Sequence, residues 1–320
     1  MEHSRRSKHR VPTTGRRLRR ALASTAVAAA LVAAVTGTAL ATESPGTGDP
    51  AAGAPGVVTE LAPTDTDAAA AYWTPERMAE ADDDWPTTPA PQGAAAAGTP
   101  DAAATPPPGT PQATRSAGLP MVGRLFSVTP GVPGRHACTA SVVHRANGGN
   151  AILTAAHCVY GTAAFTDIVF APQYDGGQLP FGTYAGTKVA VPAGWAKSHD
   201  PDLDFALVLV KGDVESRTGG LTLRASLPLP KSVTVTGYPT KGPNGGHPIT
   251  CHNAPDHPLK YQLGFACDGY EIGTSGSPWV PDGTHDVIGT LGGYAKGGRE
   301  VFYSYASLFD RDVLRLYAGL

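Results

Sequence analysis

Ala151-Ile152-Leu153-Thr154-Ala155-Ala156-His157-Cys158 sets an apolar run, two small residues, an ionisable ring and a sulfur in one unbroken stretch. The run Ala151 to Thr154 reads as a strand, and the alanines after it let the main chain pack closely before the histidine. Runs of the same kind recur outward in both directions. Thr139 to His144, Asp167 to Phe170, Lys188 to Val191, Phe205 to Val210, Ser232 to Gly237, Asp286 to Leu291 and Val301 to Tyr305 are rich in β-branched and aromatic residues. Turns of Gly, Pro, Asn and Asp separate them. A helical pattern appears only at the end, where Phe309, Val313, Leu316 and Tyr317 share a face, with Ser307 as cap and Asp310 three residues on. The domain is therefore all-β with a short C-terminal helix, which means a sandwich or a pair of barrels.

Upstream of these strands the composition changes twice. Residues 1–20 hold eight Lys and Arg against the single acid Glu2, and a run of small and apolar residues follows from Ala21 to Ala41. Basic stretch, apolar stretch and small residues at Ala39-Leu40-Ala41 are the parts of a secretory signal peptide over 1–41. Paired arginines at 16–17 and 19–20 also suit twin-arginine export. Residues 42–118 are Ala/Pro-rich and acidic; up to Arg115 they carry two basic against eleven acidic side chains. Such a composition buries too little apolar surface to offset ordering entropy, so a mostly disordered propeptide or linker is expected. The part most able to dock is Ala71 to Trp85, with Tyr72, Trp73, Met78 and Trp85. Arg115-Ser116 offers a cleavage point. The globular domain is expected over 119–320.

From Leu119 on, fifteen basic residues balance fifteen acidic ones, so no basic stripe points to nucleic acid or an anionic membrane. All four cysteines, Cys138, Cys158, Cys251 and Cys267, lie in this part. Behind a signal peptide they argue for disulfides, with three connectivities open and Cys138–Cys158 with Cys251–Cys267 as the local one. His247, Cys251, His252 and His257 are close enough in sequence to suggest a metal site, but an oxidised Cys251 offers no thiolate. Neither metal nor cofactor is expected.

Three stretches carry chemistry. In Gly273-Thr274-Ser275-Gly276-Ser277-Pro278, glycines on both sides permit a tight turn that exposes a serine hydroxyl and aims amides at a developing oxyanion. Thr154 to Cys158 presents a histidine pinned by small residues and a cysteine, as a general base requires. In Asp202-Leu203-Asp204-Phe205-Ala206-Leu207-Val208, an acid leads an apolar strand. Asp204 abuts that run and is a better candidate for burial than Asp200 or Asp202. The chain order His…Asp…Ser is not that of α/β-hydrolases, and Ser277 stands where a nucleophile elbow needs glycine.

Thr154 to Cys158, Asp204 to Leu207 and Gly273 to Pro278 resemble the histidine, aspartate and serine motifs of the chymotrypsin/trypsin family. Phe170 to Gly182 and Trp195 to Leu207 look most like its secreted actinobacterial members. The resemblance runs from about Val122 to the C-terminus. It implies two perpendicular six-stranded β-barrels with a triad of His157, Asp204 and Ser275 in the cleft. It also implies an oxyanion hole from the N–H groups of Gly273 and Ser275, and the cystine Cys138–Cys158. Gly269 falls at the floor of the specificity pocket, and Gly292-Gly293-Tyr294 matches the strand that holds extended substrate.

Two departures bear on activation and specificity. Thr274 stands where animal members carry the aspartate that pairs with a freed N-terminus, and no Ile-Val-Gly-Gly start exists, so that switch cannot operate in its usual form. Gly269 brings no acid to the pocket floor, where trypsin has one; Asp268 and Glu271 are near in sequence. The reading is a secreted, monomeric serine endopeptidase, made as a zymogen, acting on protein or peptide and meeting a membrane only during export. The alternative is a non-catalytic protease homologue that serves as an extracellular binding protein.

Overall fold

Strand pairing accounts for nearly the whole architecture. The computed structural model describes residues 56–81, 105–131, 134–145 and 150–320. Two short strands come first, β1 (Val57–Glu60) and β2 (Thr114–Arg115). Six more follow: β3 (Val122–Val128), β4 (His136–Val143), β5 (Ala151–Thr154), β6 (Thr166–Pro172), β7 (Tyr184–Val191) and β8 (Ala206–Val210). They pair antiparallel as β6-β3-β4-β5-β8-β7, and β7 meets β6 again at Val169↔Ala185 and Phe170↔Tyr184, closing a barrel.

The second half repeats this order. After β9 (Thr222–Leu223) come β10 (Val233–Gly237), β11 (Ile249–Asn253), β12 (Pro255–Leu259) and β13 (Gln262–Ala266). They are followed by β14 (Pro278–Pro281), β15 (Asp286–Val287), β16 (Gly289–Thr290) and β17 (Tyr303–Ser307). If β11 and β12 count as one strand broken at Ala254, and β15 and β16 as another, six strands remain. Pairings β10–β11, β12–β13, β13–β17, β14–β16 and β10–β14, with a bridge from Leu291 to Ala306, complete the ring. Both rings run first-second-third-sixth-fifth-fourth, the all-β double barrel expected.

Burial on both faces explains why these strands read as apolar runs. In β5, Ile152 points into the first barrel, while Ala151 and Leu153 face a second cluster with Phe309, Val313 and Leu316. That cluster seats the C-terminal helix Arg311–Ala318. Its cap is not Ser307 as expected. Asp310 accepts from Asp312 N at 2.7 Å, while Ser307 ends β17 and donates to Pro201 O at 3.0 Å. A carboxylate one residue before the first turn is the better-placed acceptor.

The acidic upstream stretch contributes more than expected. Strand β1 extends the free edge of β7, Val57↔Val191 to Glu60↔Lys188, where β6 no longer reaches. Helices α1 (Pro63–Tyr72) and α2 (Pro75–Glu80) then cross the barrel wall. Thr66 donates to Gly186 O at 3.0 Å, Trp73 donates from its indole to Asp167 O, and Glu80 pairs with Arg135 at 2.8 Å. Trp73 and Met78 are buried, with the Trp73 ring 5.1 Å from Phe126. A barrel wall already folded lets two large side chains offset the ordering of an otherwise polar segment, each contributing about 1.5–3 kcal/mol. Trp85 and the signal-like residues 1–41 lie outside the described residues. Further on, β2 pairs with β11 at Ile249↔Arg115 and Thr250↔Thr114, so the Arg115–Ser116 bond sits in the second barrel's sheet. A protease cannot take that bond into its cleft until the strand is unpaired.

Candidate active site

Strand β5 ends at Thr154, and the chain turns at once into a single 3₁₀ turn, Ala156–Cys158, that carries His157. The disulfide Cys138–Cys158 fixes this turn to β4 across a Cα separation of 6.2 Å. Pro201–Leu203 forms a second 3₁₀ turn that delivers Asp204 just ahead of β8. The two side chains meet: His157 Nδ1 and Asp204 Oδ2 are 2.7 Å apart, and His157 N donates to Asp204 Oδ1 at 3.0 Å. Asp204 has no exposed surface and His157 only 2%.

Burial by itself would push the Asp204 carboxyl up. The charge of His157, its two hydrogen bonds and a third from Gly293 N at 2.9 Å outweigh that and hold it below the ordinary carboxylate value. Asp200 instead caps its own turn through Asp202 N, and Asp202 faces Gln262, so neither rival acid reaches the histidine. Small residues make the meeting possible. A Cβ on Gly292 would lie 3.0 Å from Asp204 Oδ2 and 3.2 Å from the Ala155 methyl.

Ser275 comes from the second barrel, on the turn before β14. It is flanked by Gly273 (φ +96) and Gly276 (φ +87), both in conformations that side chains resist. A Cβ on Gly276 would fall 2.0 Å from Thr139 O. Thr139 holds the turn by two bonds, its N–H donating to Ser275 O at 2.7 Å and its hydroxyl to Gly273 O at 3.0 Å, and Tyr238 N, just after β10, donates to that hydroxyl. Since Thr139 follows Cys138, the cystine joins the serine turn to the histidine turn through one residue on each side. Around Ser275, the amides of Thr274, Gly276 and Ser277 are spent on Glu271 O, Leu291 O and Thr274 O. Among the described residues, no backbone hydrogen bond uses the N–H of Gly273 or Ser275. Two unspent amides beside a serine hydroxyl suit a developing oxyanion.

The remaining expected positions surround this centre. Gly292 N donates to Tyr305 O, Gly293 N to Asp204 and Tyr294 N to Gln262 Oε1, so this segment turns its amides inward. Gly269 (φ +102) packs on Gln112 and Ala113 from the upstream chain, and Ala113 N donates to Asp268 O. Glu271 lies against Gly242, where a Cβ would approach its carboxylate to 2.8 Å. Thr274 donates to Glu271 O at 2.7 Å, a bond local to its own turn. The second disulfide, Cys251–Cys267, is present. His247 pairs with Asp175 and His252 with Asp282, which disperses the cluster that suggested a metal. Cys138, His157 and Cys158 lie together, but both sulfurs are committed to the cystine. Sequence reasoning missed Thr139, Thr154 and Gln262. Of these only Thr154, next to the quoted alanines and donating to Thr139 O at 2.8 Å, carried a positional signal.

The family model described as Trypsin matches residues 109–309, a span that begins upstream of the expected domain start. An extracellular metalloprotease of Bacillus subtilis (strain 168) is 31% identical over 115 residues, 34% of this chain and 36% of that protein. A glutamyl endopeptidase of Bacillus licheniformis is 28% identical over 141 residues, 41% of this chain and 42% of that protein. The chain thus spans about two fifths of the length of the curated relatives it matches. Among solved structures, the protease Anisep from Arthrobacter nicotinovorans superposes with a TM-score of 0.58 at 20% identity, over 65% of this chain and 98% of that one.

Proposed function

Because this chain belongs to the trypsin family, we propose that it is a secreted serine endopeptidase that cleaves peptide bonds through an acyl-enzyme. One observation carries this reading: the buried His157–Asp204 pair of the first barrel is tied, through Cys138 and Thr139, to a serine turn with two unspent amides. Ser275 Oγ attacks the scissile carbonyl. The bond to Asp204 commits His157 Nδ1, so Nε2 takes the hydroxyl proton and later returns it to the leaving amine. Asp204, held as an anion by its three donors, orients the ring and stabilises the imidazolium. Gly273 N–H and Ser275 N–H receive the oxyanion.

The substrate strand pairs with Gly292, whose carbonyl accepts from a substrate amide, since the carbonyls of Gly293 and Tyr294 already accept from Lys296 N and Gly297 N in the 3₁₀ turn Tyr294–Lys296. Arg299, with its guanidinium 5.5 Å from the Tyr294 ring, supplies a cation beside that strand. Cleavage after glutamate, the activity in the name of the B. licheniformis relative, is therefore the first specificity to test. In the zymogen reading, residues 109–118 stay with the protease body and any processing falls upstream of β2.

A fluorophosphonate probe tests the chemistry. The purified protein should be labelled at Ser275, and Ser275→Ala should lose both labelling and peptide hydrolysis. A wild-type protein that is never labelled would instead favour a binding role for the same fold.

A further inference from the structure

The aspartate of the site belongs to the first barrel, yet one of its three donors, Gly293 N–H, belongs to the second. Something must hold the two barrels in register at this point to within a few tenths of an ångström. Gln262, first residue of β13 and 1% exposed, occupies the gap. Its Nε2 donates to Asp202 Oδ1 at 2.7 Å and to Pro201 O at 3.0 Å, both on the turn that delivers Asp204. Its Oε1 accepts from Tyr294 N at 3.1 Å, the amide next to Gly293. With both amide hydrogens and one acceptor position engaged, the side chain has one orientation that satisfies it. The approach is close enough that a Cβ on Gly293 would lie 2.1 Å from Gln262 Oε1.

On the serine-protease reading above, we propose that Gln262 is a positioning residue, a strut that holds the Pro201–Leu203 turn and the Gly293–Tyr294 backbone at the spacing that keeps Gly293 N–H on Asp204. It touches neither substrate nor His157. It acts through Asp204, whose orientation sets that of the imidazole. The strut has a polarity: donor toward the first barrel, acceptor toward the second. That polarity separates it from simple space filling, which a side chain of equal volume would satisfy.

Gln262→Met keeps the volume and removes the bonds. In that variant the Gly293 amide should lose protection from hydrogen exchange, and fluorophosphonate labelling of Ser275 should slow about tenfold or more. The probe is small enough to need no extended substrate strand, so a slower rate reports on the triad. Gln262→Glu removes the donor and sets a carboxylate against Asp202, and should slow labelling at least as much. Adding Asp202→Asn turns one of the two bonds round, with the asparagine amide donating to the introduced carboxylate, while Pro201 O keeps only its bond from Ser307. The double variant should be labelled faster than Gln262→Glu alone, recovering part of the lost rate. Labelling at the wild-type rate in Q262M, or no recovery in Q262E/D202N despite wild-type thermal stability, would overturn the strut. A wild type that is never labelled, in which Q262M still strips protection from Gly293, would sink the protease reading and leave the strut standing.

Discussion

The two barrels follow the same strand order but hold their shares of the site by different means. In the first, His157 and Asp204 stand where a chain trace of ordinary residues leaves them, and a buried carboxylate with three donors fixes them. In the second, Ser275 is placed by backbone conformation, between two glycines at positive φ, on a turn gripped by Thr139. The first half depends chiefly on charge and hydrogen bonding, with Gly292 leaving room beside Asp204, and the second chiefly on the absence of side chains. The halves should therefore fail differently: the first by losing activity with its fold intact, the second by losing the fold of the turn itself.

The largest effect should come from Asp204→Asn. The side-chain amide would set N–H groups against His157 and favour the wrong imidazole tautomer, with little change in volume. A loss in kcat on the order of 10⁴-fold is expected, the size known for the same change elsewhere in the family, with folding retained by circular dichroism. A loss below tenfold would mean that the charge network does not govern this half.

Gly276→Ala tests the other half. The new methyl meets Thr139 O, which is backbone and cannot swing aside, and the residue must also hold φ +87. Strain and overpacking together should cost about 3 kcal/mol or more, read from urea midpoints. Gly283→Ala is the control. Its φ is also positive, at +73, but nothing lies within 4 Å, so only the conformational cost of about 1 kcal/mol should remain. Equal losses at both positions would break the argument from close approach.

A third region sharpens the contrast, because the upstream chain lends a strand to each barrel: β1 to β7 and β2 to β11. The contacts of β1, α1 and α2 described above all fall on the outer wall of the first barrel, so this segment acts as a clamp on stability. Trp73→Ala should cost about 3 kcal/mol of stability, less where the wall can close over the gap. The labelling rate of Ser275 should stay unchanged at temperatures where the variant is folded. A changed rate would show that the clamp reaches the site.

How much of this could be read beforehand follows from the same division. The strand Ala151–Thr154 and the three motifs are legible because small, apolar and β-branched residues mark them locally. Strand β3 was not, since Arg124 and Ser127 interrupt its pattern. In the fold Arg124 is buried with its guanidinium 5.1 Å from the Phe126 ring and 5.2 Å from the Tyr174 ring. Strand β13 opens on Gln262, whose partners Pro201 and Asp202 lie some sixty residues upstream, and no local pattern announces such a meeting. Among its described side chains helix α1 buries only Thr66 and Ala69, with Trp73 following at its end, so its sequence resembles a linker. Residues that pair across the two barrels are the ones that a chain read in order does not reveal.

The smallest effect expected is one of pH, and it again divides the halves. The Asp204 carboxyl titrates below its ordinary value in the folded protein, so its ionisation favours folding at all pH values above the unfolded carboxylate range, near 3.9. That contribution is lost as pH falls through the lower folded value. Nothing comparable holds the serine turn, whose anchors are peptide groups and a threonine hydroxyl. Urea midpoints measured from pH 7 down to pH 3 should fall more steeply for wild type than for Asp204→Asn, with the gap between the two closing only below about pH 4. Gly276→Ala, which leaves the carboxylate in place, should keep the wild-type slope at a lower midpoint. If the Asp204→Asn curve instead ran parallel to wild type down to pH 3, the buried carboxylate would not be the pH-sensitive element of the first barrel, and the contrast between a charged half and a conformational half would have to be drawn elsewhere.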